Sequence, residues 1–179
     1  TTSGEITSDW TSSVSYASIV FTAPAAAQDE ETTSEAGRTK LLDIARRTLE
    51  AHLSAKPVPD FGDASEELQR RRGVFVTLNK AGRLRGCIGC FTSKEPLHKI
   101  VSEYAVISAT RDRRFAPVKA SELKDIKIEI SILSPMRRVK DPLKEVILGV
   151  HGIYIKRGRN SGTYLPQVAT EHNMTKEEF

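Results

Sequence analysis

The spacing of hydrophobic positions changes several times along the chain, and each change marks an element. Near the start, Val14-Ser15-Tyr16-Ala17-Ser18-Ile19-Val20-Phe21 is a β-branched and aromatic run that predicts one buried strand. From Ser34 the period becomes helical: Leu41, Ile44, Ala45, Thr48, Leu49 and His52 predict an amphipathic helix over 35–53. Pro57-Val58-Pro59 ends it, and Ser65 to Arg71 suggests a polar helical turn. Gly73 to Leu78 and Leu84 to Phe91, joined across Asn79-Lys80-Ala81-Gly82, predict an antiparallel hairpin. Thr92 with Glu95 makes a capping box ahead of Pro96. Leu97, Ile100, Val101, Tyr104, Ala105 and Ser108 then form the buried stripe of a second helix, expected to pack on the hairpin. Ile126, Ile128, Ile130 and Ile132 alternate strictly, as a half-buried strand does. Further on, the pattern predicts a short helix over 142–148, a hairpin from Ile153 to Leu165, and a helix opened by Thr175 and Glu178 where the sequence stops.

Composition narrows the class. With 179 residues, 39% hydrophobic and 28% charged, the chain has room for one ordinary core and a fragment. No run is long and apolar enough to cross a bilayer, and no secretory signal is visible. Two cysteines do not build a disulfide scaffold, so a reducing, cytoplasmic setting is expected. Charge is unevenly placed: residues 1–35 hold six acids and no Lys or Arg, leaving 27 bases against 17 acids in the rest. Thr22 to Thr33 mixes Ala, Pro and acids without an apolar period, and a flexible connection is expected over 22–33. The strand before it then belongs to an absent neighbour, and removing residues 1–33 is expected to leave the later domain, 34–179, intact.

Candidate chemistry centres on Leu84-Arg85-Gly86-Cys87-Ile88-Gly89-Cys90-Phe91. Strand alternation puts Arg85 and Cys87 on one face and Cys90 on the other, so a guanidinium would stand beside a thiol and favour its nucleophilic thiolate. The glycines fit a place where another backbone, a ligand or a substrate approaches the sheet. The plain alternative makes Cys87 a small buried hydrophobe, Arg85 a solvated strand residue and the glycines a bulge or bend. As Cys-x-x-Cys the pair is weak, with its thiols on opposite faces and no further cysteine to complete a thiolate zinc site. Arg111, Arg113 and Arg114 beside Phe115 offer an anion clamp or a solvated helix exit. Glu129 on the alternating strand and His151 between small residues are weaker acid or base candidates, against a cross-strand ion pair and a structural histidine.

Two resemblances extend this. Arg72-Gly73-Val74-Phe75-Val76-Thr77-Leu78, Leu84-Arg85-Gly86-Cys87-Ile88-Gly89, Tyr104-Ala105-Val106-Ile107-Ser108-Ala109, Arg111-Asp112-Arg113-Arg114-Phe115, Ile128-Glu129-Ile130-Ser131-Ile132-Leu133-Ser134-Pro135, His151-Gly152 and Leu165-Pro166-Gln167-Val168 closely resemble the AMMECR domain family, from about residue 38 to the end. The resemblance implies an α+β fold, an antiparallel sheet with packed helices in two unequal lobes. Bacterial members resemble protein A of the AmmeMemoRadiSam system, so a Memo-like protein and a radical SAM protein are the implied partners. Ser3-Gly4-Glu5, Ser12-Ser13-Val14 and Tyr16-Ala17-Ser18-Ile19-Val20-Phe21 resemble the tail of the Memo family. Residues 1–21 would then end a Memo-like domain of the same parent chain. Any metal of that domain would lie in its absent part, and no cofactor is expected in this fragment, whose last helix and strand are also expected to be missing.

The leading expectation is an enzymatic or substrate-presenting module acting on an unidentified small molecule or peptide, with Cys87 as the contacting thiol and Arg85 holding an anion. The runner-up is a module for nucleic acid or another polyanion using Arg83, Arg85, Arg111, Arg113, Arg114, Arg137 and Arg138. One Trp, four Tyr and six Phe, without a groove-reading motif, argue against it. A scaffold without chemistry is the third.

Overall fold

The computed structural model describes residues 17–22, 33–62 and 64–179. The segments at 3–5 and 12–16, and the connection at 23–32, lie outside the described residues. Contacts divide the chain into two compact units, one within Ala27–Ser134 and one combining the strand at 17–22 with Pro135–Phe179.

In the first unit, α1 spans Glu35–Leu53, the range its apolar spacing predicts. The Ser34 hydroxyl caps it by accepting the Gly37 N–H at 3.0 Å. Ser34 also donates its N–H and its hydroxyl to Glu67 at 2.8 and 2.7 Å, tying the helix start to the short α2, Glu66–Gln69. A three-stranded antiparallel sheet follows, with β2 (Val74–Lys80) between β3 (Arg83–Cys90) and β4 (Ile126–Ile132). Val74, Val76 and Leu78 alternate into the core, where they meet Leu41, Ile44 and Leu49 of α1 and Leu97, Val101 and Ala105 of α3, Leu97–Thr110. Each of these Val, Leu and Ile side chains contributes about 1.5–3 kcal/mol on burial. The expected box between Thr92 and Glu95 does not form. Glu95 precedes Pro96, which disfavours helical backbone there; the Ser93 hydroxyl accepts the Glu95 N–H at 2.9 Å instead, and the helix begins after Pro96. A 3₁₀ segment at Ala120–Asp125, which has no periodic signature, leads into β4.

In the second unit the sheet order is β5, β1, β6, β7, formed by Arg137–Arg138, Ala17–Thr22, His151–Arg157 and Asn160–Tyr164. The backbone of β1 pairs antiparallel with β6 from Ala17↔Lys156 to Thr22↔His151. The strand read as belonging to an absent neighbour is therefore hydrogen-bonded into the sheet of the chain that follows it. Val139, Val146, Ala169 and Phe179 form this unit's core, between α4 (Pro142–Glu145), shorter than expected, and α5 (Pro166–Glu171), which was not anticipated. At the carboxy end Glu178 accepts the Thr175 N–H at 2.9 Å, and the Phe179 N–H reaches the Thr175 carbonyl at 3.0 Å, completing one turn.

Candidate functional site

The geometry around Cys87 is set by a break in strand register. Asn79 pairs with Leu84 and Leu78 with Gly86, so Arg85 has no residue opposite it in β2 and is the extra residue of a β-bulge. A bulge re-aims a side chain and interrupts alternation. Arg85 therefore does not stand beside the thiol. Its guanidinium donates to both oxygens of Glu122, at 3.0 and 3.2 Å, and to the carbonyls of Ala116 and Pro117 at 2.7 and 3.3 Å. Lys80 joins the same carboxylate at 2.8 Å, and with Arg85 it holds Glu122 down at about 2.

Past the bulge the pairing brings Cys87 opposite Thr77, with Glu129 opposite Thr77 on the other side. Cross-strand partners share a face, so these three side chains form one row on the face turned away from the helices. The Thr77 hydroxyl donates to the Cys87 sulfur at 3.1 Å. Burial pushes the thiol above its ordinary value, outweighing the favourable effects of the Thr77 hydroxyl and the Arg114 charge, while Asp112 and Glu129 push the same way as burial. The structure thus reverses the depressed thiol expected from the sequence: Arg85 is engaged elsewhere and desolvation wins. Cys90 packs against the core on the opposite face, as alternation predicts.

The glycines also have packing reasons. A Cβ on Gly86 would collide with the carbonyl oxygen of Ser108 on α3, and one on Gly89 would meet the Val74 carbonyl and the Phe75 ring. Another backbone and a neighbouring aromatic, Phe75, itself edge-on to Phe91, occupy the space that a ligand was considered for. Ser108 is fully buried; its hydroxyl donates to Val76 C=O at 2.8 Å and accepts the Ile88 N–H at 3.0 Å, bridging β2 and β3.

Asp112, an acid between arginines, is the residue that sequence reasoning passed over. It is buried, accepts the Cys87 N–H at 2.9 Å, and is held side-on by Arg114 at 2.7 and 3.0 Å. Arg114, its own N–H and the Cys87 N–H together lower it to about 2. Arg114 also donates to the Cys87 carbonyl at 3.3 Å and lies over the Phe115 ring. Of the expected anion clamp, Arg114 is thus committed to clasping the loop onto β3, whereas Arg111 and Arg113 are exposed. A carboxylate two residues past a helix end, followed at two residues by an arginine, was the available signal.

The remaining candidates fall apart spatially or chemically. Glu129 is exposed on β4 and shares a row with Cys87, and among the described residues no acid–base pair includes it, so the expected cross-strand bridge is not seen there. His151 belongs to the second unit. It is buried, and its Nδ1 accepts the Ile147 N–H at 3.0 Å, so it closes a turn; burial, and then Arg137, lower its pKa. Among the described residues, no three His, Cys, Asp or Glu side chains gather as metal ligands, and no helix is long and apolar enough to cross a membrane. The first unit also holds a cleft of about 390 Å³, lined by α1, α3 and the segment at 58–61.

Comparison with known proteins places this geometry among relatives. The AMMECR1 family model matches residues 42–179. A protein of Methanothermobacter thermautotrophicus is 44% identical over 151 residues, covering 80% of this chain and 77% of that protein. One from Methanosarcina barkeri is 40% identical over 144 residues, covering 76% and 71%. The crystal structure of protein PH0010 from Pyrococcus horikoshii superposes with a TM-score of 0.75 at 36% identity, covering 83% of this chain and 78% of that one.

Proposed function

The chain belongs to the AMMECR1 family, and from that premise we propose that it presents a substrate to partner enzymes through the sheet face carrying Thr77, Cys87 and Glu129. The partners in this reading are the Memo-like and radical SAM proteins of an AmmeMemoRadiSam-type system. One observation carries the choice of presentation over thiol catalysis: Arg85, the expected activator, is bound to Glu122, and burial pushes the Cys87 thiol up. A nucleophilic cysteine needs a lowered pKa or an adjacent base. Here the hydroxyl of Thr77 donates to the sulfur and so takes no proton from it. The exposed Glu129 carboxylate and the half-buried Thr77, Ser131 and Phe75 make a mixed polar and aromatic face suited to hydrogen-bonded recognition of a small molecule or peptide.

The test is capture of purified Memo-like and radical SAM partners by the chain, with and without substitutions on that face. Association is expected to survive Cys87→Ala and to fail with Thr77→Arg or Glu129→Arg. Loss with Cys87→Ala alone, Thr77→Arg being tolerated, would return the thiol to a chemical role.

A further inference from the structure

The cleft of about 390 Å³ uses none of the residues just discussed, and its floor is built from polar groups with one function each left open. His98 and Ser102 lie one turn apart on α3, on a single helix face. His98 is 7% exposed and its Nδ1 lies 3.2 Å from the Leu68 carbonyl oxygen. A carbonyl can only accept, so Nδ1 carries a proton, which leaves Nε2 as the position of the imidazole that can accept. No described residue partners Nε2, yet among the described residues no buried side-chain nitrogen or oxygen is left unsatisfied, so this nitrogen is not sealed in. His98 is one of the residues lining the cleft, the open space beside its ring.

Ser102 supplies the complement. Its hydroxyl is 2.9 Å from that of Thr48, which is fully buried. Were Ser102 the donor, the Thr48 proton would be buried without an acceptor, which is the costly arrangement. Thr48 therefore donates, and the half-buried Ser102 keeps its own O–H for the cleft. Val58, Pro59, Phe61 and Val106 make apolar walls, while Asp60 and Glu103 outnumber Lys99 and disfavour an anion. The volume is within the range of small-molecule sites.

We propose that this cleft binds a small, flat, uncharged heterocycle or cyclic amide, which gives an N–H to His98 Nε2 and accepts the Ser102 hydroxyl on an adjacent carbonyl or ring nitrogen. The test is NMR titration of the full chain with benzimidazolone, a cyclic urea, as the probe. Saturable shifts are expected at His98, Ser102 and Val106. N,N′-dimethylbenzimidazolone, which lacks the donor, should bind about tenfold more weakly or worse, the scale of one lost hydrogen bond. Ser102→Ala should weaken the probe similarly. Paired with Thr48→Val, which removes the buried hydroxyl together with its partner, it should do so at an unchanged thermal midpoint. Val106→Trp, filling the cleft, should abolish binding. No saturable shift at millimolar probe, equal affinity for the dimethyl analogue, indifference to the Thr48→Val/Ser102→Ala pair, or tighter binding of benzoate would each overturn the assignment.

Discussion

At the scale of single residues, the behaviour of Cys87 follows from which charge reaches it. Its labelling by a thiol reagent is expected to be slow near neutral pH, with a midpoint above the ordinary value of 9.0. Thr77→Val and Arg114→Ala should each move that midpoint further up, because each removes a group that favours the thiolate. Arg85→Ala should leave it in place. A midpoint below the ordinary value, or one that rises only with Arg85→Ala, would restore the arginine–thiol pair. Alternation correctly put Cys87 and Cys90 on opposite faces, because no irregularity lies between them. It failed for Arg85, since one inserted residue shifts everything before it, and a bulge leaves no periodic trace in a segment with two glycines. Asp112 was hidden for another reason: a carboxylate among arginines looks like charge balance until its burial and its bond to the Cys87 amide are known.

Elements with four or more turns or alternations were legible; those held only by tertiary contacts were not. The helices at 35–53 and 97–110 and the three strands of the first sheet carry their own periodicity. The two-residue β5, the 3₁₀ segment and α5 are too short to show one. The close approach of α3 to β3 gives the sharpest test at this scale. Gly86→Ala drives a Cβ into the Ser108 carbonyl and should cost about 2–4 kcal/mol in urea unfolding, as overpacking against backbone does. Gly82→Ala has open space around it and only the strain of a φ of 73°, so a cost of about 1–2 kcal/mol is expected. Equal losses for the two would mean that α3 is free to move away. The strand at 17–22 was legible as a strand, but its pairing was not, because register between distant segments has no local signal. Removing residues 1–33 takes away the neighbour of both β5 and β6. Amide exchange in β6 should therefore accelerate while β2 and α3 stay protected; unchanged exchange in β6 would show the strand to be dispensable.

For the whole molecule, the two units place their acid-sensitive groups in different pH ranges. In the first, Asp112 and Glu122 sit at about 2 against ordinary values of 3.8 and 4.5. A carboxylate depressed in the folded state binds fewer protons there than in the unfolded chain. Its contribution is thus complete above the ordinary value and is lost as pH falls toward about 2. In the second unit His151 lies below its ordinary 6.5, chiefly through burial. A histidine buried neutral is also at full benefit above that value, but its contribution fades as pH drops below it, a higher window than that of the carboxylates. Glu145, lowered to about 2 mainly by Arg137, adds a later loss to the same unit. Residue-resolved spectra recorded stepwise from pH 7 to pH 2 should therefore show residues 135–179 responding first. The sheet and helices of 34–134 should hold until the carboxylate range. Asp112→Asn with Glu122→Gln should flatten the lower step and leave the upper one, because both residues belong to the first unit and His151 to the second. A single transition in which both units respond together, unaltered by those substitutions, would show that these ion clusters do not set the acid limit of the fold.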